Sequence, residues 1–197
     1  MVAEKGRKIV DGVMVKLARN LLFLDANFIS LLSFTFSIVA AFLIVFELLL
    51  LSLLAIFLTG FFDVLDGKIA KTKAPTPFGI WLDPIIDRLS DMAIILGIGF
   101  SRYCDMTVSI ITVVITFLIS YVGTLGLEMK LGRVSGGLVS RADRVIIISL
   151  SIILQFFFSD LVYGRYILNW GLLFLLSASV ISFLQRLAVV IKKLNEK

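Results

Sequence analysis

The sequence predicts an all-α polytopic membrane protein with six transmembrane helices and an N-terminal amphipathic interfacial helix. Of its 197 residues, 59% are hydrophobic and 17% are charged, which is more apolar surface than a soluble domain of this size can bury. The apolar residues gather in runs close to the about 20 residues that cross a bilayer. The basic residues fall on alternate connections between those runs, which is typical of membrane topology.

Residues 1–25 precede the first apolar run and lack the pattern of a cleavable signal peptide. Their apolar side chains recur at helical spacing on one side: Ile9, Val10, Val13, Leu17 and Leu21. Basic residues lie toward the other side: Lys8, Lys16 and Arg19. The pattern predicts a helix that lies on the membrane with its cations near anionic headgroups. A frayed basic tail is the alternative.

Residues 26–197 are predicted to form one membrane domain of six spans with short connections. The apolar runs cover residues 28–46, 48–64, 80–100, 108–127, 145–158 and 166–191. Glu47 is the only charge between the first two runs, which predicts a tight hairpin. The fifth run is short, which predicts either a tilted helix or an extension at its basic end.

The distribution of cations predicts the orientation. If the N-terminus is cytoplasmic, all of the 19 Lys and Arg residues except Arg102 and Arg165 lie on the cytoplasmic side. We therefore expect both termini in the cytoplasm and a multi-pass protein of the plasma membrane. The net charge of +5 follows from this topology and does not indicate nucleic-acid binding.

The chain has no histidine and one cysteine, Cys104. These two facts exclude an imidazole base or metal ligand, an intrachain disulfide and a thiolate metal cluster. Any chemistry must therefore use carboxylates, hydroxyls, Lys and Arg. We expect Cys104 to fill a small apolar position near a helix end rather than to act as a nucleophile.

Five of the 14 acidic residues cluster at the cytoplasmic ends of the second and third predicted helices. They are Asp63, Asp66, Asp83, Asp87 and Asp91. The first two are spaced i, i+3 and the next two i, i+4, so each pair shares a helix face. Two prolines turn the chain between the helices. The sequence therefore predicts that four carboxylates converge in one small volume.

Converging carboxylates need cations to stay ionised together. Oxygen ligands without His or Cys favour Mg²⁺, Mn²⁺ or Ca²⁺, and four acids suffice for a two-metal site suited to displacement at phosphorus. The alternative is that the acids pair with nearby cations or lie in interfacial water. Those cations are Lys68, Lys71, Lys73 and Arg88.

The segment 63–87 reads DVLDGKIAK, TKAPTPF and GIWLDPIID. It resembles the signature of the CDP-alcohol phosphotransferases, also called the CDP-alcohol phosphatidyltransferase family: D-x-x-D-G-x-x-A-R, a short spacer, then G-x-x-x-D-x-x-x-D. All four acids and both glycines match. Lys71 stands where the family usually has Arg, which keeps the charge but loses the planar bidentate fork. The six spans and the amphipathic start are similar to that family too.

The resemblance implies a site that binds Mg²⁺ or Mn²⁺, as two ions, and a CDP-linked lipid. The implied metal ligands are Asp63, Asp66, Asp83 and Asp87. Asp87 is also the implied general base. The implied contacts to the CDP-lipid are Asn27, Asp66, Gly67, Ala70, Lys71, Thr76 and Gly79. Helix packing would account equally well for the glycines, and capping of the first helix for Asn27 and Ser30. The resemblance also implies a homodimer.

The implied reaction transfers the phosphatidyl-type group of CDP-diacylglycerol or CDP-archaeol to the hydroxyl of an alcohol and releases CMP. Inositol phosphate is the expected acceptor, with glycerol 3-phosphate or serine as alternatives. The loop between the fourth and fifth spans could bind an acceptor phosphate through its cations, although topology explains any single cation equally well. They are Lys130, Arg133, Arg141 and Arg144.

Several short matches resemble the members that transfer to inositol phosphate. They are the Ser120-Tyr121 pair, the sequence RADR at 141–144 and the continuation DRLSD at 87–91. Gly123, Thr124 and Leu125 replace the basic positions that follow Ser-Tyr in those members. Asp91 could orient Arg88 or an acceptor hydroxyl, or form a salt bridge along the helix face.

A cation channel or transporter that uses the acids as an ion site is the alternative from a different class. It predicts carboxylates near the bilayer midplane and inverted repeats. The acids lie instead at predicted helix ends, and the sequence has no convincing internal repeat. An inactive scaffold of the same fold is disfavoured by the intact set of four aspartates.

Overall fold

The computed structural model describes residues 12, 14–132 and 137–195. Six long helices run through these ranges: α1 (Ala26–Val45), α2 (Leu49–Lys73), α3 (Pro77–Phe100), α4 (Met106–Glu128), α5 (Arg141–Phe157) and α6 (Ile167–Asn195). A shorter helical stretch at 14–20 precedes them. Within the described residues, the only β-pairing is an isolated bridge between Val162 and Arg165. The predicted all-α fold class is confirmed.

Four helices are long and apolar enough to cross a membrane, and these are α1, α2, α4 and α6. Helix α3 carries several charged side chains, and α5 has 17 residues. Length and composition therefore support four of the six predicted spans among the described residues. The predicted tight hairpin is also present, because α1 ends at Val45 and α2 begins at Leu49, with Glu47 at a φ of 63° between them.

Polar side chains fix where the helices near the acids begin. The Asp25 carboxylate accepts a hydrogen bond from the backbone of Asn27 and caps α1, so the cap is Asp25 and neither Asn27 nor Ser30. The Thr76 hydroxyl accepts from the backbone of Gly79 and caps α3. Each cap satisfies a backbone donor that the helix leaves without a partner.

Helix α5 begins with a reciprocal capping box between Ser140 and Asp143. The box places the first turn at Arg141, ahead of the apolar run predicted at 145–158. The predicted extension at the basic end is therefore confirmed, and it brings Arg141 and Arg144 onto a regular helix. The remaining predicted cation of this loop, Arg133, lies outside the described residues.

The six helices pack in a closed ring. Helix α1 contacts α2 and α3, α4 contacts α3 and α6, and α5 contacts α6 and α2. Close approaches between backbones hold the ring: a Cβ on Gly97 of α3 would lie 2.6 Å from the Ala41 Cα of α1, and one on Gly171 of α6 would overlap Ser151 of α5. Small residues at such crossings are typical of helix packing in membranes. In this ring, the C-terminal part of α2 and the N-terminal parts of α3 and α5 lie close together at one end of the bundle.

The described part of the N-terminal segment is amphipathic, as predicted. Ala18 is fully buried and packs with Ile29, Leu65 and Ile69, and Leu17 and Leu21 pack against this group. Lys16 and Arg19 are exposed. The predicted apolar positions Ile9, Val10 and Val13 and the cation Lys8 lie outside the described residues. The segment thus covers the outer surface of α1 and α2 near the acids.

The end of the bundle opposite the acids contains Arg102 and Arg165, the two cations that the charge pattern does not place on the cytoplasmic side. Arg102 forms an ion pair with Glu47 at 2.9 Å and lies over the ring of Tyr103, 5.2 Å from its centroid. Arg165 forms an ion pair with Asp105 at 2.6 Å. These contacts tie the three connections at this end to one another.

Candidate active site

The acidic residues converge at the junction of α2 and α3. One carboxylate oxygen from each of Asp63, Asp83 and Asp87 lies within 4.8 Å of the other two. The chain turns sharply between the helices, since Ala74 has a φ of 73°, and both helices pack on α1. The convergence predicted from spacing is present for these three residues, and we call them the carboxylate triad.

The fourth predicted ligand, Asp66, is a helical turn beyond Asp63 on α2. Its side chain is nearly fully buried, and the residue is 4% exposed. Its Oδ1 atom has no hydrogen-bond partner among the described residues. A buried carboxylate oxygen without a partner is costly, so this atom is suited to receive a ligand or a cation.

A cavity of about 520 Å³ opens on one side of the acids. We call it the front cavity; α1, α2, the turn 74–76 and the start of α3 line it. All of the residues predicted to contact the CDP-lipid line it: Asn27, Asp66, Gly67, Ala70, Lys71, Thr76 and Gly79. Asp83 of the triad also lines it.

The two glycines of the front cavity have different reasons to be small. A Cβ on Gly67 would meet nothing within 4 Å, so helix packing does not account for this glycine and a Cβ would point into open space. A Cβ on Gly79 would lie 3.0 Å from Asn27 Oδ1 and 3.2 Å from Thr76 Oγ1. Gly79 therefore lets the Asn27 side chain approach α3.

Several residues of the front cavity lie outside the set predicted to contact the CDP-lipid, and Ser30 and Lys73 are two of them. Ser30 lines it, one turn after Asn27 on α1, and Lys73 lines it at the end of α2. The Lys73 ammonium donates a hydrogen bond to the Leu24 carbonyl at 2.9 Å, whereas the sequence suggested a pairing with an acid. The helical spacing of Ser30 from Asn27 was the available signal for the serine.

A second cavity, of about 460 Å³, lies on the other side of the acids between α2, α3 and α5. We call it the rear cavity. Most of its wall is apolar, with Ile56, Ile94 and Val145 among the lining residues. Its polar end contains Asp63, Asp91, Ser90 and Arg141. The triad thus joins the two cavities, since Asp83 lines the front one and Asp63 the rear one.

Two cations that contact the acids come from α5. Arg141 Nη1 lies 2.8 Å from Asp63 Oδ1 and 2.7 Å from Asp87 Oδ1, and its Nε lies 3.5 Å from Asp91 Oδ1. Arg144 Nη1 lies 2.8 Å from Asp91 Oδ2. Asp91 therefore forms ion pairs between helices, not the predicted salt bridge along α3.

The other predicted cations are placed differently. Arg88 donates to the Pro84 carbonyl of its own helix. Lys130 is exposed in the turn after α4. Of the four cations predicted for an acceptor phosphate, the structure thus brings Arg141 and Arg144 to the acids.

The donor set fits a divalent cation. Five carboxylates face two arginines here, so negative charge remains after the ion pairs are formed. Asp66 Oδ1 is buried without a hydrogen-bond partner among the described residues, and the triad offers three oxygens at short mutual distance. Hard cations such as Mg²⁺ and Mn²⁺ prefer such oxygen ligands.

Cys104 lies at the opposite end of the bundle, in the connection between α3 and α4, and is buried. Burial raises the pKa of its thiol to about 11. A thiol of this pKa is almost entirely protonated near neutral pH, and the thiolate is the nucleophilic form. The structure therefore agrees with the prediction that Cys104 has a packing role.

The sequence model of the CDP-alcohol phosphatidyltransferase family matches residues 23–179 of the chain. The chain belongs to this family. The matched range includes the residues of the front cavity, the carboxylate triad and the arginines of α5. Membership makes the protein a transferase of this type.

Named members of the CDP-alcohol phosphatidyltransferase family agree with this placement. The archaetidylinositol phosphate synthase of Methanothermobacter thermautotrophicus is 31% identical over 147 residues, which are 72% of this chain and 70% of that protein. The phosphatidylinositol phosphate synthase of Mycobacterium tuberculosis, in a crystal structure with CDP-DAG bound, has a TM-score of 0.78 at 28% identity. That alignment covers 90% of this chain and 93% of the other.

A second crystal structure of the Mycobacterium tuberculosis enzyme is a complex with manganese and citrate. It has a TM-score of 0.76 at 29% identity and covers 90% of this chain and 88% of that one. Family, relatives and structural neighbours thus point to the same class of reaction.

Proposed function

We propose that the protein transfers the phosphatidyl-type group of a CDP-linked lipid to the hydroxyl of inositol phosphate and releases CMP. The observation that carries the proposal is the position of the carboxylate triad between two cavities, with Asp83 on the front cavity and Asp63 on the rear cavity. A transfer between two substrates needs such a shared centre. The similarity to archaetidylinositol and phosphatidylinositol phosphate synthases supports the acceptor.

The CDP-linked lipid is proposed to bind in the front cavity. Lys71 offers a cation to the diphosphate, and the open space beside Gly67 admits the ligand close to the α2 backbone. Asn27 and Thr76 supply polar groups at the cavity wall. The lipid is CDP-diacylglycerol or CDP-archaeol, since the named relatives include both phosphatidyl and archaetidyl enzymes.

Asp63, Asp66, Asp83 and Asp87 are proposed to hold two divalent ions, Mg²⁺ or Mn²⁺. When bound, these ions neutralise the diphosphate and make CMP a better leaving group. The manganese complex of the Mycobacterium tuberculosis enzyme supports this assignment. The residues themselves position the ligand oxygens on two rigid helices, so little rearrangement is needed during the reaction.

Asp87 is proposed to accept the proton of the acceptor hydroxyl. The acceptor oxygen then bonds to the lipid-side phosphorus, and the bond from that phosphorus to the bridging oxygen of CMP breaks. Asp87 suits this role because it belongs to the triad and lies next to Arg141, which lines the rear cavity. The chain has no histidine, so a carboxylate is the natural base here.

The acceptor is proposed to approach from the rear cavity, with its phosphate near Arg141 and Arg144. Arg141 lines this cavity and Arg144 pairs with Asp91, another residue of its wall. Arginine is suited to phosphate because its planar fork donates two parallel hydrogen bonds. Lys130 and Arg133, in the connection that precedes α5, remain predicted contacts of the acceptor phosphate. Glycerol 3-phosphate and serine remain the alternative acceptors.

The membrane arrangement is part of the proposal. Residues 1–25 form an interfacial segment, residues 26–197 form a six-span domain, and both termini are cytoplasmic. In that arrangement the protein lies in the plasma membrane and its acids face the cytoplasm. Two copies form a homodimer. The charge pattern supports the orientation, since Arg102 and Arg165 lie together at the end opposite the acids.

The test is CMP release by the purified protein with Mg²⁺ or Mn²⁺ and a CDP-linked lipid. Inositol phosphate, glycerol 3-phosphate, serine and inositol are supplied in turn. We expect release only with an acceptor, and fastest with inositol phosphate. Equal rates with inositol and inositol phosphate would contradict the role of the arginines, and no release with any acceptor would contradict the reaction.

A further inference from the structure

The structure assigns a second role to Arg141, that of a positioning residue that exchanges places with a divalent cation. This inference rests on the proposed function. In one state Arg141 holds Asp63 and Asp87. In the other, the cation takes these carboxylates and the guanidinium turns into the rear cavity, where it binds the phosphate of the acceptor. Cation loading and acceptor binding are thereby coupled through one side chain.

The first step is that Arg141 contacts the carboxylates of two proposed metal ligands. A single nitrogen, Nη1, lies 2.8 Å from Asp63 Oδ1 and 2.7 Å from Asp87 Oδ1. It bridges α2 and α3 at the point where their carboxylates meet. A divalent cation held by the same two carboxylates would compete with the guanidinium for them, and the two positive charges would repel one another.

The second step is that Arg141 is incompletely satisfied where it lies. Its contact with Asp63 has hydrogen-bond geometry. Its contacts with Asp87 Oδ1 at 2.7 Å and, through Nε, with Asp91 Oδ1 at 3.5 Å are ion pairs without hydrogen-bond geometry. The guanidinium is therefore held mostly by charge, and a divalent cation that offers more charge to the same oxygens can displace it.

The third step is that the Arg141 side chain lies beside open space into which it can turn, whereas the Arg144 side chain does not. The Arg141 side chain is 28% exposed and lines the rear cavity of about 460 Å³. The Arg144 side chain is 11% exposed and its Nη1 lies 2.8 Å from Asp91, whose side chain is 12% exposed. Arg144 thus stays fixed by its own partner while Arg141 moves.

The coupling is reciprocal by linkage. An anion that binds Arg141 in the rear cavity removes a competitor for Asp63 and Asp87, so it tightens cation binding by the same factor by which the cation tightens anion binding. The consequence for the reaction is an order of assembly: the phosphate subsite is completed only after the acids have been loaded. This favours acceptor binding to a site already able to react.

The experiment measures Mn²⁺ binding to the purified protein in detergent, without substrates, by calorimetry or by the loss of the free Mn²⁺ signal in electron paramagnetic resonance. Exchange predicts that Arg141→Gln binds Mn²⁺ about tenfold more tightly than wild type. Arg141→Lys keeps the charge but lacks the planar fork, and its affinity should fall between the two. Weaker or unchanged binding in Arg141→Gln would overturn the inference, because a residue that merely orients the carboxylates should weaken binding when removed.

Arg144→Gln is the matched control. It removes the same charge from the same helix but no contact with Asp63 or Asp87, so exchange predicts at most about a threefold change. An effect equal to that of Arg141→Gln would overturn the inference in favour of general charge. Arg165→Gln removes an arginine paired with a carboxylate at the opposite end of the bundle, and no change is expected.

An anion arm tests the second half of the exchange. Sodium sulfate, compared with sodium chloride at equal ionic strength, should tighten Mn²⁺ binding in wild type and not in Arg141→Gln. Equal responses would overturn the role of Arg141 as the anion's partner. Absence of Mn²⁺ binding in wild type would overturn the proposed function together with this inference, whereas normal binding without CMP release would count against the proposed function alone.

Discussion

The front and rear cavities lie on either side of the carboxylate triad, with Asp83 on the front and Asp63 on the rear, but they are built in different ways. The front cavity is lined by residues from 25–30 and 66–83, two short stretches on helices that follow one another along the chain. The rear cavity combines residues 56–64 and 90–94 with residues 141–146, which lie much farther along. The front is rich in glycine and lysine, whereas the rear is mostly apolar with an arginine at one end.

This difference shows which parts of a two-substrate site a local motif can contain. The motif at 63–87 supplies both the acids and most of the front wall, so one segment holds the nucleotide side together. The rear side depends on the packing of α5 against α2, which the motif does not specify. Substitutions in the carboxylate triad should therefore affect the reaction of both substrates. Substitutions elsewhere in one cavity should affect the binding of only one substrate.

The largest effect on activity is expected for a substitution in the carboxylate triad. Asp87→Asn removes the proposed base and a triad ligand, so CMP release should fall by about 10²- to 10⁴-fold. Thermal unfolding in detergent should show that the fold is retained. Asp160→Asn, at an exposed position near the opposite end, is the control and should keep full activity. Full activity in Asp87→Asn would show that the assigned base is wrong.

A smaller effect, confined to the rear side, is expected for Arg144→Gln. The change leaves the carboxylate of Asp91 with only the 3.5 Å contact to Arg141, and an uncompensated buried charge costs about 3 kcal/mol of the free energy of unfolding. The KM for inositol phosphate should rise about tenfold or more, with the KM for the CDP-lipid unchanged.

The double variant Arg144→Gln with Asp91→Asn separates stability from acceptor binding. It removes both charges of the pair, so the unfolding temperature should return toward that of wild type. The raised KM for inositol phosphate should persist. If the double variant also recovered the KM, Arg144 would act only by stabilising the fold.

A matched pair of glycines on α2 compares the cavities directly. Gly60 lines the rear cavity and Gly67 the front cavity, and a Cβ at either position would meet nothing within 4 Å. Leucine at either position should therefore be tolerated by the fold and gain helix propensity. Gly67→Leu should raise the KM for the CDP-lipid, and Gly60→Leu the KM for the acceptor, each about tenfold. The same pattern from both variants would show that the cavities are not separate.

The smallest effect is expected for Lys71→Arg in the front cavity. The change restores the residue that the family usually has, and both side chains carry one positive charge. Because Lys71 is exposed, we expect the KM for the CDP-lipid to change by less than about threefold. Lys71→Gln, which removes the charge, should raise the same KM by more than Lys71→Arg changes it.

Much of the fold and half of the site could be predicted from the sequence. Hydropathy predicted the helix ends to within about four residues, except that α2 continues to Lys73, nine residues past its predicted end at 64. The early start of α5 was suggested by the short fifth run. The seven residues predicted for the nucleotide side all line one cavity because helical spacing places them on neighbouring faces. The alternative in which nearby cations pair with the acids included Lys73 and Arg88, but these two bind backbone carbonyls. The guanidinium of Arg141, which was predicted only as a contact of the acceptor phosphate, lies among the acids.

The sequence by itself determined the class of protein, the order of the helices and the identity of the acids, because each follows from local composition and from helical periodicity. Only the tertiary structure decided what lies opposite those acids. Asp63 and Arg141 are 78 positions apart, and they meet because the ring of helices packs α5 against α2. A contact of this kind depends on which helix faces which, and periodicity along a single helix carries no information about that choice.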